Sequence, residues 1–208
     1  MKRPFRIEIC GGIASGKTTL AKLFKSHADL LFEDFTATPF WKPFYETPGP
    51  YNFEAEVSFL LQHYHQVKRR KLDRHGRDMV VCDFSYRLDR AYSTVSLDAR
   101  EFHAFEAIYN HVLTDTTPPG LLIQLRCSAE TQMQRINARA RTVESGITVH
   151  FLRSLNAAID REISIAVESM PTVSLDSETQ DFAHDVKVTT RIRRQIMRKV
   201  SELSTLER

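Results

Sequence analysis

The stretch FRIEICGGIASGKTTLAKLF, Phe5 to Phe24, restricts the possible folds more than any other part of the chain. A short β-rich run with Ile7 and Ile9 passes into Gly11-x4-Gly16-Lys17-Thr18, the phosphate-binding loop pattern, and then into Leu20, Leu23 and Phe24 at helical spacing. This context separates a phosphate cradle from a chance match, because such a loop works where a strand delivers it to the start of a helix. Backbone N–H groups must converge on phosphate oxygens without interference from Cβ atoms, which accounts for Gly11, Gly12 and Gly16 at the bend. The helix opening near Lys17 adds its positive end. Ile13, Ala14, Ser15 and Thr19 complete the nucleotide-contacting stretch. Lys17 is expected on the β/γ-phosphates of ATP, and the Thr18 hydroxyl on Mg²⁺.

With 208 residues, 42% apolar and 26% charged, the chain suits one domain, 1–208, with a sizeable core. A net charge of +3 neither demands nucleic acid nor excludes an anionic substrate. Cys10, Cys82 and Cys127 form no CxxC pair and end apolar runs, so they read as buried thiols of a reducing compartment. No stretch has the length and apolarity of a membrane span or a signal segment. The expectation is a cytoplasmic protein with no membrane partner.

Leu30 to Glu33 is a second apolar run, ending in acids. Ligands of parallel α/β sheets sit beyond the carboxyl ends of the strands, so Glu33 is expected to face the γ-phosphate and the acceptor group. Met79 to Asp83 is a third strand, apolar enough to be buried on both faces, and Asp83 joins Glu33 near the phosphates, where Asp83 is expected to be a ligand of Mg²⁺ or water. Between these strands PFWKPFYETPGPYNF is broken by prolines and Gly49 yet rich in aromatics, as one wall of a pocket would be. Phe53, Val57, Leu60, Leu61, Tyr64 and Val67 then predict a long amphipathic helix running to about Arg74. Glu56 lies beside its apolar stripe and His63 two turns on; a carboxylate there needs a partner or a ligand. The basic run 68–77 reads as a solvated helix end.

Asp98-x-x-Glu101 is a capping pattern for a helix whose apolar face is Phe102, Phe105, Ile108, Tyr109 and Val112. Leu121 to Leu125 is a fourth strand, and Ser128 is the N-cap of the helix after it. That helix leads into RINARARTVESGI, where Arg135, Arg139 and Arg141 precede a glycine-containing loop. The spacing suits a mobile lid over about 138–147 whose guanidinium groups close over the transferred phosphoryl group and exclude water. A helix over His150 to Val167 and a fifth strand, Val173 to Asp176, follow. In the basic tail Ile192, Ile196 and Val200 favour packing onto the domain over a nucleic-acid or membrane patch. Five strands alternating with helices predict an α/β fold: a five-stranded parallel sheet flanked by helices on both faces. His63 and His65 point to different helix faces and carry no metal signal.

Taken together, these motifs resemble the deoxyribonucleoside kinase family over nearly the whole chain, in order and spacing. The resemblance implies a phosphate-loop kinase that transfers the ATP γ-phosphoryl group to the 5′-hydroxyl of a nucleoside, as a homodimer. It makes Glu33 the general base on that hydroxyl, Tyr45 and Glu144 ligands of the 3′-hydroxyl, and Arg139 and Arg141 phosphate contacts. Arg135 is then placed near the ATP base, and Asp181-Phe182 in the loop closing over adenine. Asp89 matches an acid that contacts the nucleoside base in some members. Three positions depart from the pattern. Phe84 stands where an arginine is usual after the third-strand acid, with Arg87 or Arg90 as stand-ins. Glu56 replaces a glutamine that holds the base, and His63 replaces an arginine. An ionised Glu56 can only accept hydrogen bonds, favouring a base edge rich in donors, unless desolvation keeps it protonated.

Two other readings share the phosphate loop. A nucleoside monophosphate kinase of thymidylate kinase type needs additional cations for the acceptor phosphate, which Arg87 and Arg90 could supply. A nucleotide-binding switch needs no enclosed acceptor, so Glu33 and the lid arginines argue against it.

Overall fold

Strand β1, Phe5–Gly11, runs through the glycine-rich loop into α1, Lys17–Lys22. The computed structural model describes residues 4–47, 49–72 and 75–206. In chain order β2 (Asp29–Leu31), α2 (Trp41–Glu46), α3 (Asn52–Leu72), β3 (Met79–Cys82), α4 (Tyr86–Ser96), α5 (Ala99–Asp115) and β4 (Leu121–Arg126) follow. Then come α6 (Ala129–Arg139), α7 (Val149–Ala166), β5 (Thr172–Asp176) and α8 (Val186–Leu206), with single 3₁₀ turns at Phe35–Ala37 and Thr142–Glu144. The strands form one parallel sheet in the order β2-β3-β1-β4-β5. β1 is therefore central, and its carboxyl end emerges between β3 and β4. Connections of this kind put helices on both faces, as predicted.

Side chains of a strand alternate between faces, and this decides which helix each residue meets. Ile7 and Ile9 of β1, with Leu121, Ile123 and Leu125 of β4, pack against Leu20 of α1 and Ile192, Ile196 and Val200 of α8. Burying each such side chain contributes roughly 1.5–3 kcal/mol. The tail helix is thus part of the core on this face. On the other face Cys10 and Leu122 meet Leu88 and Ala91 of α4 and Leu152, Leu155 and Ile159 of α7. A third cluster seats α3 and α5 on β3 through Leu60, Val67, Val80, Cys82, Phe105 and Val112.

Polar side chains fix several helix starts. Asp98 and Glu101 form the expected capping box, and the Ser128 hydroxyl accepts from the Thr131 N–H. Caps of this kind are worth about 1 kcal/mol each. The elements are shorter than the apolar runs suggest. α1 stops at Lys22, so Leu23 and Phe24 pack from beyond its end. β2 ends at Leu31 and β3 at Cys82, which leaves Glu33 and Asp83 past the strand tips. α3 extends to Leu72, and the predicted end near Arg74 lies outside the described residues. The three cysteines are free; Cys10 and Cys82 are buried and Cys127 is half-buried. Among the described residues no helix is long and apolar enough to cross a membrane.

Candidate active site

The loop after β1 turns on Gly16, whose φ of 100° lies in the left-handed region that glycine adopts without strain. A Cβ there would sit 3.1 Å from the Phe182 ring, so the bend is closed to larger residues by backbone and neighbour alike. Lys17 folds back over the loop, its Nζ donating to the carbonyls of Gly11 at 2.9 Å and Gly12 at 3.1 Å. Burial pushes the Lys17 amine below its ordinary pKa, against the opposing pull of Glu33 and Asp83. Asp83 ties three segments together. Its Oδ2 accepts from the Thr18 hydroxyl at 2.6 Å, and its Oδ1 accepts from the Glu33 backbone N–H at 2.8 Å. Burial pushes this carboxyl up, and the two donors offset part of the rise.

One cavity of about 450 Å³ joins this loop to an aromatic chamber. Residues 13–19, Glu33 and Asp83 line the first part; Phe35, Trp41, Phe44, Tyr45, Phe59 and Tyr92 line the second. Glu33 and Lys17 both line this cavity. The segment read as a pocket wall therefore supplies Trp41, Phe44 and Tyr45.

Glu56 opens onto the chamber from α3, only 4% exposed, and burial pushes its carboxyl up to about 8. Its Oε1 lies 2.8 Å from the Ser96 hydroxyl, which is also 3.0 Å from the Tyr92 carbonyl. One hydroxyl proton serves one acceptor, so both contacts are hydrogen bonds together only when Glu56 carries a proton and donates to Ser96. Asp89 lines the cavity from α4, whereas His63 is buried behind the wall with Nδ1 3.0 Å from both Asp89 oxygens.

The arginine-rich segment forms the end of α6 and the following turn. Arg139 donates through two nitrogens to Glu144, at 2.7 and 2.5 Å, and Arg141 lies 3.6 Å from the same carboxylate and over the Phe35 ring. All three line the cavity. Arg135 also lines it, donating to the carbonyls of Ala14 and Ser177.

Arg87 and Arg90 are a correction. Both guanidinium groups bind Glu162 of α7, and Arg90 binds Glu106 as well, so neither reaches the cavity. A buried Glu162 requires cationic partners, and α4 supplies both. Asp181 is exposed and accepts from the N–H groups of its own turn, outside the cavity lining; Phe182 is buried against the loop side of the core.

Phe35, Phe59, Tyr92 and Ser96 were not anticipated. A helical reading of 86–96 contains the signal, since Asp89, Tyr92 and Ser96 recur at i, i+3 and i+7 on one face. Glu56, Phe59 and His63 share the same spacing on α3. The two faces converge on one chamber.

Comparison with known proteins agrees with this geometry. The chain is 28% identical over 187 residues to the deoxyguanosine kinase of Bacillus subtilis (strain 168), covering 86% of this chain and 89% of that one. It is 24% identical over 174 residues to the deoxyadenosine kinase of Dictyostelium discoideum, with 82% and 71% covered. Among solved structures, deoxyadenosine kinase from M. mycoides with products dCMP and a flexible dCDP bound has the same fold. Its TM-score is 0.78 at 23% identity, over 95% of this chain and 99% of that one. The family model described as deoxynucleoside kinase matches residues 7–202, and the chain belongs to that family.

Proposed function

We propose that the protein is an ATP-dependent deoxynucleoside kinase that moves the γ-phosphoryl group to the 5′-hydroxyl of a deoxynucleoside. The observation that carries this reading is one cavity lined both by the phosphate loop and by a set of aromatic side chains, with Glu33 in the same lining. A phosphate-binding loop alone fits many nucleotide hydrolases. A chamber with a carboxylate in its lining fits a second substrate that presents a hydroxyl.

Transfer needs positioning and charge stabilisation more than covalent chemistry. The loop N–H groups and Lys17 hold the β/γ-phosphates, and Glu33 orients the acceptor hydroxyl and takes its proton. Arg139 and Arg141, now turned toward Glu144, act as the lid: a rotation brings them over the transferring group. Tyr45 and Glu144 serve the sugar in this reading, and Arg135 the nucleotide base; all three line the cavity. Among the described residues no three His, Cys, Asp or Glu side chains form a metal cluster. That suits Mg²⁺, which takes one or two protein oxygens and completes its shell with phosphates and water. The Thr18 hydroxyl and Asp83 would hold it, and it supplies neutralisation of the triphosphate charge.

The relatives are named for deoxyguanosine and deoxyadenosine, so purine deoxynucleosides are the first acceptors to test. The homodimer and cytoplasmic location implied by the resemblance belong to the same reading, and the free cysteines suit a reducing compartment. The engagement of Arg87 and Arg90 by Glu162 weighs against a monophosphate kinase. Nucleosides, deoxynucleosides and their monophosphates are to be incubated with ATP and Mg²⁺ and the products resolved. Deoxynucleoside 5′-monophosphates are expected. Phosphorylation of monophosphates alone, or ATP hydrolysis with no phosphorylated acceptor, overturns the reading.

A further inference from the structure

His63 sits behind the cavity wall, 1% exposed, with both ring nitrogens aimed at acids. Its ring lies flat on Phe84, with centroids 4.0 Å apart and planes 4° apart, which fixes its orientation. Nδ1 is equidistant, at 3.0 Å, from the two oxygens of Asp89, the geometry of an N–H shared by a carboxylate. Nε2 is buried, makes no hydrogen bond, and faces Glu33 Oε1 at 3.6 Å.

A neutral imidazole has one N–H and one lone pair. With the N–H given to Asp89, the lone pair would confront the Glu33 carboxylate across a short desolvated gap. A second proton turns that repulsion into attraction. Resting on the kinase reading, we infer that His63 is a doubly protonated positioning residue, anchored by Asp89 and Phe84, whose Nε2–H directs the Glu33 carboxylate toward the acceptor hydroxyl. A small rotation of Glu33 brings the 3.6 Å separation to hydrogen-bond length.

Burial is the strongest single influence on the ring and opposes the charge, yet Asp89 and Glu33 together outweigh it and push His63 up to about 10. Other charged groups act on its two acid partners: Glu56 on both, Glu8 on Asp89, and Lys17 and Asp83 on Glu33. Phe84 lies beneath the ring, and Arg87 and Arg90 are held by Glu162.

The test has two arms. In the first, ¹⁵N-histidine NMR of the whole protein without nucleotide reads the charge of His63 directly. An imidazolium with both nitrogens protonated is expected through pH 8, and Glu33→Gln should lower its pKa by at least one unit. A neutral ring at pH 7.5 overturns the bridge. In the second arm, His63→Gln is expected to lower kcat tenfold or more with KM for ATP within twofold. On a Glu33→Gln background the same change should cost less than twofold, because its route of action is gone. Additive losses overturn the positioning role. An inactive parent protein with a charged His63 sinks the kinase reading and spares the bridge; a neutral His63 in an active enzyme does the reverse.

Discussion

The Thr18 hydroxyl donates to Asp83 at 2.6 Å, linking the first turn of α1 to the tip of β3. The other oxygen of Asp83 accepts the Glu33 backbone N–H at 2.8 Å, so one carboxylate sets both the proposed Mg²⁺ ligand and the segment carrying the proposed base. Asp83→Asn keeps the shape and removes the charge. Since partners that orient a ligand typically cost 10–100-fold when changed, turnover should fall by about that factor. Raising Mg²⁺ should recover part of it. An unchanged Mg²⁺ dependence in steady-state kinetics would remove Asp83 from metal binding.

Glu33→Gln separates the proposed proton acceptor from the rest of the site. Positioned acid–base groups contribute roughly 10²–10⁴-fold, and kcat should drop by that order while ATP affinity stays within about twofold. Turnover and ATP binding measured side by side check this. A variant that phosphorylates deoxynucleosides at near-parental speed assigns the proton to another group.

The parts legible before the structure are those where chemistry dictates residue type locally. Gly11, Gly12, Gly16, Lys17 and Thr18 announce themselves because a backbone cradle tolerates few alternatives, and Glu33 follows from where strands of parallel sheets end. What stayed hidden depends on partners distant in the chain. Arg87 and Arg90 look available until α7 brings Glu162 against α4. Arg6 and Glu8 alternate with Ile7 and Ile9 on a strand expected to be apolar. They are buried because each satisfies the other, Arg6 Nε donating to Glu8 at 2.9 Å. The placement of His63 between Asp89 and Glu33 required knowing that α3, α4 and the segment after β2 meet. Spacing along α3 alone places it near Glu56 and says nothing of Asp89 or Glu33.

Glu56 predicts a pH dependence of stability with a definite sign. Its carboxyl titrates near 4.5 when unfolded and is pushed up to about 8 when folded, chiefly by burial. The folded state holds this proton more tightly, so the associated destabilisation is absent below pH 4.5, grows as pH rises, and is complete above about 8. Glu56→Gln lacks the titration. Urea unfolding at pH 5, 6.5 and 8.5 should show the variant gaining on the parent across that window and no further above it. A constant difference between the two proteins would mean that Glu56 is ionised throughout. The same variant should change the ranking of acceptor bases, because the side chain lines the chamber.

Glu162 offers the sharpest separation of structure from catalysis. It is 3% exposed on α7 and binds Arg87 and Arg90 of α4, away from the cavity. Removing one member of a buried charge cluster leaves the others without compensation, at a cost on the order of 3 kcal/mol. Glu162→Ala should therefore lower the midpoint of urea unfolding strongly while KM for ATP and for the deoxynucleoside stays near the parent value in the folded fraction. Arg90→Ala should be milder, since Arg87 remains on Glu162. A deoxynucleoside KM that rises tenfold in Arg90→Ala, with stability preserved, would return this arginine to the acceptor site and reopen the monophosphate kinase reading.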